Sequence, residues 1–182
     1  WTSPKWEPTS EDYYSPSNSI TDSRNSDYLA NQNNAISMDT AIDLTDVSMA
    51  FISFWGKWEL ELAYDYVQIM IKKDGASSWT ALSGNYTKNG GNNYLDSSEP
   101  YYEGFTDWVN EEIDISEYAG EKISIRFVLK TDSGVEEDGF YFDDFQISVI
   151  STATSINDKF DNITVSAAYP NPTTGISTIS FN

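Results

Sequence analysis

Neither cysteine nor histidine occurs among the 182 residues. Without cysteine no disulfide staples the fold, and thiols say nothing about the compartment. The two absences together exclude the usual zinc sites and every Ser-His or Cys-His nucleophile arrangement. Catalysis would have to rest on carboxylates, lysine or tyrosine. Basic residues are scarce as well: 10 Lys and Arg stand against 29 Asp and Glu, a net charge of −19. Phosphate binding needs clustered cations, so the charge argues against nucleic acid as a partner and against a direct grip on anionic lipid. No apolar run is long enough to span a membrane and no signal peptide is present, so any export signal is expected upstream. The chain opens on Trp1, which reads as a processed or excised piece.

What is present suits an all-β chain. Hydrophobic residues make up 39% and aromatics 15%, enough for the core of one domain with a short appendage. Residues 35–38 read as a short strand, and 47–58 as a central one, apolar on both faces at Phe51, Ile52, Phe54 and Trp55. Val67, Ile69 and Ile71 share a strand face; Asp74-Gly75 signals a hairpin, with Trp79 to Leu82 returning. Residues 108–115 read as a strand. Ile123, Ile125, Phe127 and Leu129 alternate with Lys122, Ser124, Arg126 and Lys130 in the clearest half-buried strand. Residues 139–149 close the set. Seven to nine short strands without an amphipathic helix predict an antiparallel sandwich or jelly roll over 1–150. Residues 1–16 read as a surface loop anchored by Trp1 and Trp6, through packing or as sugar-stacking rings. Residues 151–166 read as a polar linker. In 167–182 a rigid turn opens a further strand that cannot bury itself alone.

The acidity has two readings, solubility or divalent cation binding, and local clusters must decide between them. In the closing strand, period-two alternation places Asp143 with Phe145, Ile147 and Val149 on the core face. A carboxylate there is costly unless paired or bound to a metal. The turn at 18–28 offers Asp22, Ser23 and Asp27 as hard oxygen ligands of the kind calcium prefers, or else an Asx-turn. Counting back from Val67 gives Asp65 and Glu61 the core parity, unless a bend at 61–64 turns them to solvent. The loop 131–138, with Asp132, Glu136, Glu137 and Asp138, is a solvated turn or a source of further oxygen ligands.

Residues 84–107 form a long stretch rich in Gly, Asn, Ser and Tyr. Stretches of this length without an element of their own are usually functional or mobile. Tyr94, Tyr101 and Trp108 are candidate ligand-contact residues for a glycan or protein; the alternative is a loop pinned down by its own aromatics. A carboxylate-only glycosidase would need two carboxyls about 5–10 Å apart across a cleft, and nothing in the sequence selects a pair.

Two resemblances follow. The run Tyr169-Pro170-Asn171-Pro172-Thr173-Thr174-Gly175, with the alternating residues after it, resembles the start of the type IX secretion system sorting domain of Bacteroidota. That resemblance implies a secretion signal at Tyr169, Pro170, Asn171, Pro172 and Gly175. It also implies passage through the periplasm and outer membrane, an outer-membrane barrel shuttle as partner, and a secreted or cell-surface destination. In that family the domain continues for several more strands.

The body resembles the MAM-like jelly-roll modules appended to secreted bacterial metallopeptidases, including the immune-inhibitor-A type and the zinc carboxypeptidases of Bacteroidota. The matching pieces are Thr21-Asp22-Ser23 with Tyr28, Ile42-Asp43-Leu44, Glu61 with Asp65-Tyr66, Asp74-Gly75 with Trp79, Trp108, Asp114-Ile115-Ser116, Gly120, Arg126-Phe127, and Asp138-Gly139 through Asp143-Asp144. The resemblance implies a calcium ion held by Asp22 and Asp143; Glu61 fits as a third carboxylate by its parity, and Ser23 joins the metal set as an oxygen ligand of the 18–28 turn. Asp27, Asp65 and Asp138 are further candidates. Members often begin with one more strand, which here would precede Trp1. Asp39-Thr40-Ala41 resembles the short O-glycosylation motif of these bacteria, making Thr40 a candidate. The expectation is a non-catalytic, calcium-stabilised accessory domain, with a catalytic domain upstream in the parent chain. The alternative is a glycan- or protein-binding adhesin module using 84–108.

Overall fold

The computed structural model of the chain describes residues 1–89 and 99–151. Twelve strands run through them: β1 (Glu7–Thr9), β2 (Ser19–Thr21), β3 (Asn33–Ser37), β4 (Ile42–Asp43), β5 (Val47–Leu60), β6 (Tyr66–Lys73), β7 (Thr80–Ala81), β8 (Lys88–Asn89), β9 (Pro100–Tyr101), β10 (Gly104–Asp114), β11 (Lys122–Lys130) and β12 (Gly139–Ser151). Two antiparallel sheets face each other in a jelly-roll-like sandwich. One has the order β1-β2-β12-β5-β10; the other has β3-β11-β6-β7, with β4 also paired to β11. Residues 152–166 of the stretch read as a linker, the segment 167–182 and Tyr94 lie outside the described residues.

Alternation in β5 builds the core. Ala50, Ile52, Phe54, Trp58 and Leu60 point inward and are buried. From the other sheet come Val67, Ile69 and Ile71 of β6 and Ile123, Ile125, Phe127 and Leu129 of β11, all fully buried. Phe127 stacks on Phe142 at 4.5 Å and meets Phe54 edge-on at 5.3 Å. Trp1 packs edge-on against Phe142 and Phe145, and Trp6 is only 4% exposed. Both N-terminal tryptophans therefore serve packing. The outward apolar residue Trp55 also finds cover, because Tyr14 stacks on it at 3.5 Å. Residues 12–15 run across the outer face of β5, which explains why that strand is apolar on both sides.

The stretch 84–107 is more regular than the sequence predicts, since it contains β8, β9 and the start of β10. Tyr101 and Tyr102 are buried, and Trp108 is half-buried with Nε1 donating to Asp12 at 3.0 Å. Tyr101 is thus a core residue rather than an open ligand surface, and Trp108 is half covered with its indole N–H taken up by Asp12. The buried Glu111 of β10 organises this region. Its carboxylate accepts the N–H groups of Asn85, Tyr86 and Glu112 and the Tyr102 hydroxyl, at 2.7–3.1 Å.

Candidate metal centre on the acidic loop

The loop 131–138 joins β11 to β12 and is clamped by two turns. Residues 61–65, between β5 and β6, form the first. The N–H groups of Tyr64 and Asp65 close on the Glu61 carbonyl, and Ala63 adopts a φ of +70°. The bend that the sequence offered as a way out to solvent does exist, yet it brings the two carboxylates together. Asp65 is fully buried and Glu61 half-buried. Asp65 Oδ1 accepts the Asp132 N–H at 2.7 Å, and Glu61 Oε2 accepts the Val135 N–H at 3.3 Å. Carboxylate oxygens of Glu61, Asp65 and Asp132 all lie within 4.8 Å of one another.

Tyr28 ties this cluster together: its hydroxyl accepts the Glu61 N–H at 3.0 Å and donates to Asp65. Burial pushes the Asp65 carboxyl up, the charges of Asp132 and Glu61 add to that, and the hydrogen bonds from Asp132 N–H and Tyr28 oppose it. Three carboxylates in this space repel one another unless a cation or proton is shared among them. A set of hard oxygen donors without nitrogen or sulfur suits a hard divalent cation. Asp132 belongs to the cluster although strand parity gave no reason to single it out; the acidic run of its loop was the available signal.

The second clamp is the turn 22–28. Tyr28 N–H bonds the Glu137 carbonyl at 2.9 Å, and Asp22 Oδ1 accepts the Phe140 N–H at 2.8 Å. Ser23 Oγ donates to the Asp138 carbonyl. Gly139 fits here at a φ of +95°, where a Cβ would lie 2.9 Å from Asp22 Oδ1. Asp22 Oδ2 is buried and has no hydrogen-bond partner. Its burial outweighs the bond from Phe140, and with the charge of Asp138 nearby the carboxyl is pushed up to about 7. Asp138 Oδ1 accepts from the Tyr141 hydroxyl at 2.9 Å. Asp27 is exposed and, with Glu59 and Glu61, adds its charge to the burial that raises Glu137.

Asp143 departs from the expected position. In β12, Asp143 opposes Trp55 and Gln146 opposes Ser53, so two residues stand opposite one and form a β-bulge. Asp144 accommodates it with a φ of +49°. The bulge flips the alternation: Phe140 and Phe142 point inward before it, Phe145 after it. Asp143 lies on the outer side, where Oδ2 accepts the N–H groups of Tyr14 and Ser15 at 3.0 and 2.9 Å. It is three residues along the strand from Phe140, the partner of Asp22, or roughly 10 Å. The structure therefore brings Glu61, Asp65 and Asp132 together, sets Asp22, Ser23 and Asp138 beside one another, and leaves Asp143 apart from both groups. Thr40 is exposed on a bend.

Comparison with known proteins places these features in context. A family model described as "Immune inhibitor A-like, MAM domain" matches residues 21–166. The chain is 27% identical over 116 residues to Bacillopeptidase F of Bacillus subtilis, covering 63% of this chain and 7% of that protein. It is 28% identical over 111 residues to the pre-pro-metalloprotease PrtV of Vibrio cholerae, covering 60% and 11%. To Immune inhibitor A of Bacillus thuringiensis it is 25% identical over 133 residues, covering 69% and 18%. The chain thus spans less than a fifth of these curated relatives. Among solved structures it is similar to the CBM22-1 xylan-binding domain from Paenibacillus barcinonensis Xyn10C, with a TM-score of 0.46, 17% identity, and coverage of 84% of this chain and 87% of that one.

Proposed function

Because the chain belongs to the Immune inhibitor A-like MAM domain family, we propose that it works as a calcium-stabilised accessory module of a secreted hydrolase. With no histidine or cysteine the chain cannot assemble the Ser-His, Cys-His or usual zinc sites of peptidases, which supports a non-catalytic role for it. Two of these relatives are by name a peptidase and a metalloprotease, which supports a peptidase as the parent enzyme.

The observation that carries this reading is the convergence of Glu61, Asp65 and Asp132 within 4.8 Å at the clamp of the acidic loop. Calcium there would be held by these three side chains, neutralising their repulsion and tying β5, β6 and the 131–138 loop into one unit. Asp22, with its unpartnered Oδ2, supports a second point of cation or proton uptake at the neighbouring turn. Ligand that binds the folded state alone stabilises it by about 2.7 kcal/mol at a hundredfold excess over Kd. For a chain of this size that is about 5–10 °C in Tm. Melting before and after chelation, with elemental analysis of the purified chain, tests the reading. A lowered Tm that calcium restores supports it; an unchanged melt with no bound metal overturns it.

Export as type IX cargo rests on the sequence run Tyr169-Pro170-Asn171-Pro172 with Gly175, which supports recognition by an outer-membrane barrel shuttle and a secreted or surface destination. Thr40, exposed on its bend, supports O-glycosylation of the Asp39-Thr40-Ala41 motif.

A further inference from the structure

The outer face of the β10-β5-β12 sheet carries a groove of about 490 Å³ lined by Ser53, Trp55, Asn110, Asp144, Phe145 and Gln146. Three features set it apart from an ordinary solvated sheet face. First, it is built around the β-bulge at 143–146, where the non-glycine Asp144 takes a left-handed φ of +49°. Bulges re-aim side chains, and strained backbone concentrates where a site requires it. Second, its wall is aromatic. Trp55 is stacked on Tyr14 at 3.5 Å and an interplanar angle of 9°, and Tyr14 remains 45% exposed.

Third, its polar groups are unspent. Among the described residues the Ser53 hydroxyl, the Trp55 indole N–H and the Asn110 and Gln146 amides make no side-chain hydrogen bond, although the N-terminal strap passes beside them. Asp144 is held in place by the Ser15 hydroxyl, which donates to its Oδ1 at 2.8 Å, leaving the other oxygen free. Register places Asn110 and Asp143 on either side of Trp55, and Gln146 beside Ser53, so the two amides flank the central strand from opposite sides.

We infer that this groove binds a neutral oligosaccharide. A pyranose ring presents an apolar C–H face, which an aromatic wall accepts, and a rim of hydroxyls, which are both donors and acceptors. Planar amides, a hydroxyl, an indole N–H and a carboxylate match that rim group for group. The volume lies within the range of roughly 300–1,000 Å³ usual for small-molecule sites. No cation lines the groove, its one charge is Asp144, and the whole chain carries −19. Uronic-acid and sulfated glycans are therefore repelled. The groove shares no residue with the acidic cluster of Glu61, Asp65 and Asp132, so this inference stands or falls apart from the calcium reading.

The test is affinity electrophoresis of the full chain, in calcium-containing buffer, through gels with xylan, glucomannan, mixed-linkage β-glucan, or polygalacturonate as the anionic arm. Titration calorimetry with oligosaccharides of any retarding polymer then gives the affinity. The Asn110→Ala/Gln146→Ala double variant changes two exposed side chains without touching the core, and Phe105→Ala, outside the groove, is the control. Retardation by a neutral polymer, weakened at least tenfold in the double variant at unchanged Tm and retained in the Phe105 variant, supports the site. It is overturned if no neutral polymer retards the chain, if polygalacturonate alone does, if the double variant binds as tightly as the parent, or if the Phe105 variant loses binding.

Discussion

Asp65, in the turn just before β6, accepts the backbone N–H of Asp132 at 2.7 Å, and the carboxylates of the two residues share one small space with that of Glu61. The hydrogen bond fixes the acidic loop, while the shared space makes the same residues repel. A cation would satisfy both demands at once.

Asp65→Asn is the direct probe of that relationship. It keeps the shape and the Asp132 contact but removes one negative charge from the cluster. We expect the parent Tm to fall by about 5–10 °C on chelation, and the variant to melt near the chelated parent whether or not calcium is added. A variant that still gains stability from calcium as the parent does would remove Asp65 from the site.

Asp22 gives a pH signature in cation-free buffer. Its carboxyl, ordinarily near 3.8, is pushed up to about 7 by burial. Between these values the folded chain holds a proton that the unfolded chain has released. The folded state then binds more protons, so stability falls as pH rises through that window. The interval corresponds to an order-of-magnitude loss of about 4 kcal/mol. Denaturant unfolding at pH 5 and pH 8 should show the parent weaker at pH 8, and Asp22→Asn should flatten the difference. An equal slope in the variant would assign the effect elsewhere.

Two glycines with positive φ should respond differently to alanine. At Gly139 a Cβ would press on Ser23 Oγ and on Asp22 Oδ1, adding a clash to the backbone strain. At Gly75, φ +75°, nothing lies within 4 Å, so only the strain remains. We expect Gly75→Ala to lower stability by about 1–2 kcal/mol and Gly139→Ala by clearly more, read from urea midpoints. Equal losses would mean that the Asp22–Ser23 turn yields freely.

Glu111→Ala should be among the more damaging single changes. It strips a fully buried carboxylate from three N–H groups and a tyrosine hydroxyl. Unsatisfied buried donors cost about 1–3 kcal/mol each, and water entering the void recovers part of this. A Tm lowered by roughly 6 °C or more is expected; a change under 2 °C would show that the donors find new partners.

Deleting residues 169–175 from the parent protein in its own host should leave it in the periplasm, followed by fractionation and surface labelling. Undiminished surface or medium levels would rule out the Tyr-Pro-Asn-Pro run as the export signal.

Much of this was legible in the residues before any coordinates. Alternation in β11 and β6 and the doubly apolar run of β5 defined a sandwich, because side-chain period follows directly from backbone geometry. The Asp74-Gly75 turn was readable because only a residue tolerant of positive φ fits there. Absence of histidine and cysteine settled, from composition alone, which chemistries the chain cannot perform. Glu61 and Asp65 were found by counting back from Val67, although a bend rather than strand parity is what joins them.

Tertiary structure decided what counting could not. A single extra residue at 143–146 inverts which side of β12 faces the core, and alternation has no means of signalling an insertion that its partner strand lacks. Asp143 therefore looks inward on paper and faces outward in the fold. Asp132 joins Glu61 and Asp65 from 67 residues beyond Asp65, through loop packing rather than any local pattern. Whether a tyrosine in 84–107 is a platform or a core residue depends on what lies above it, and for Tyr101 and Tyr102 only the packed second sheet supplied that answer.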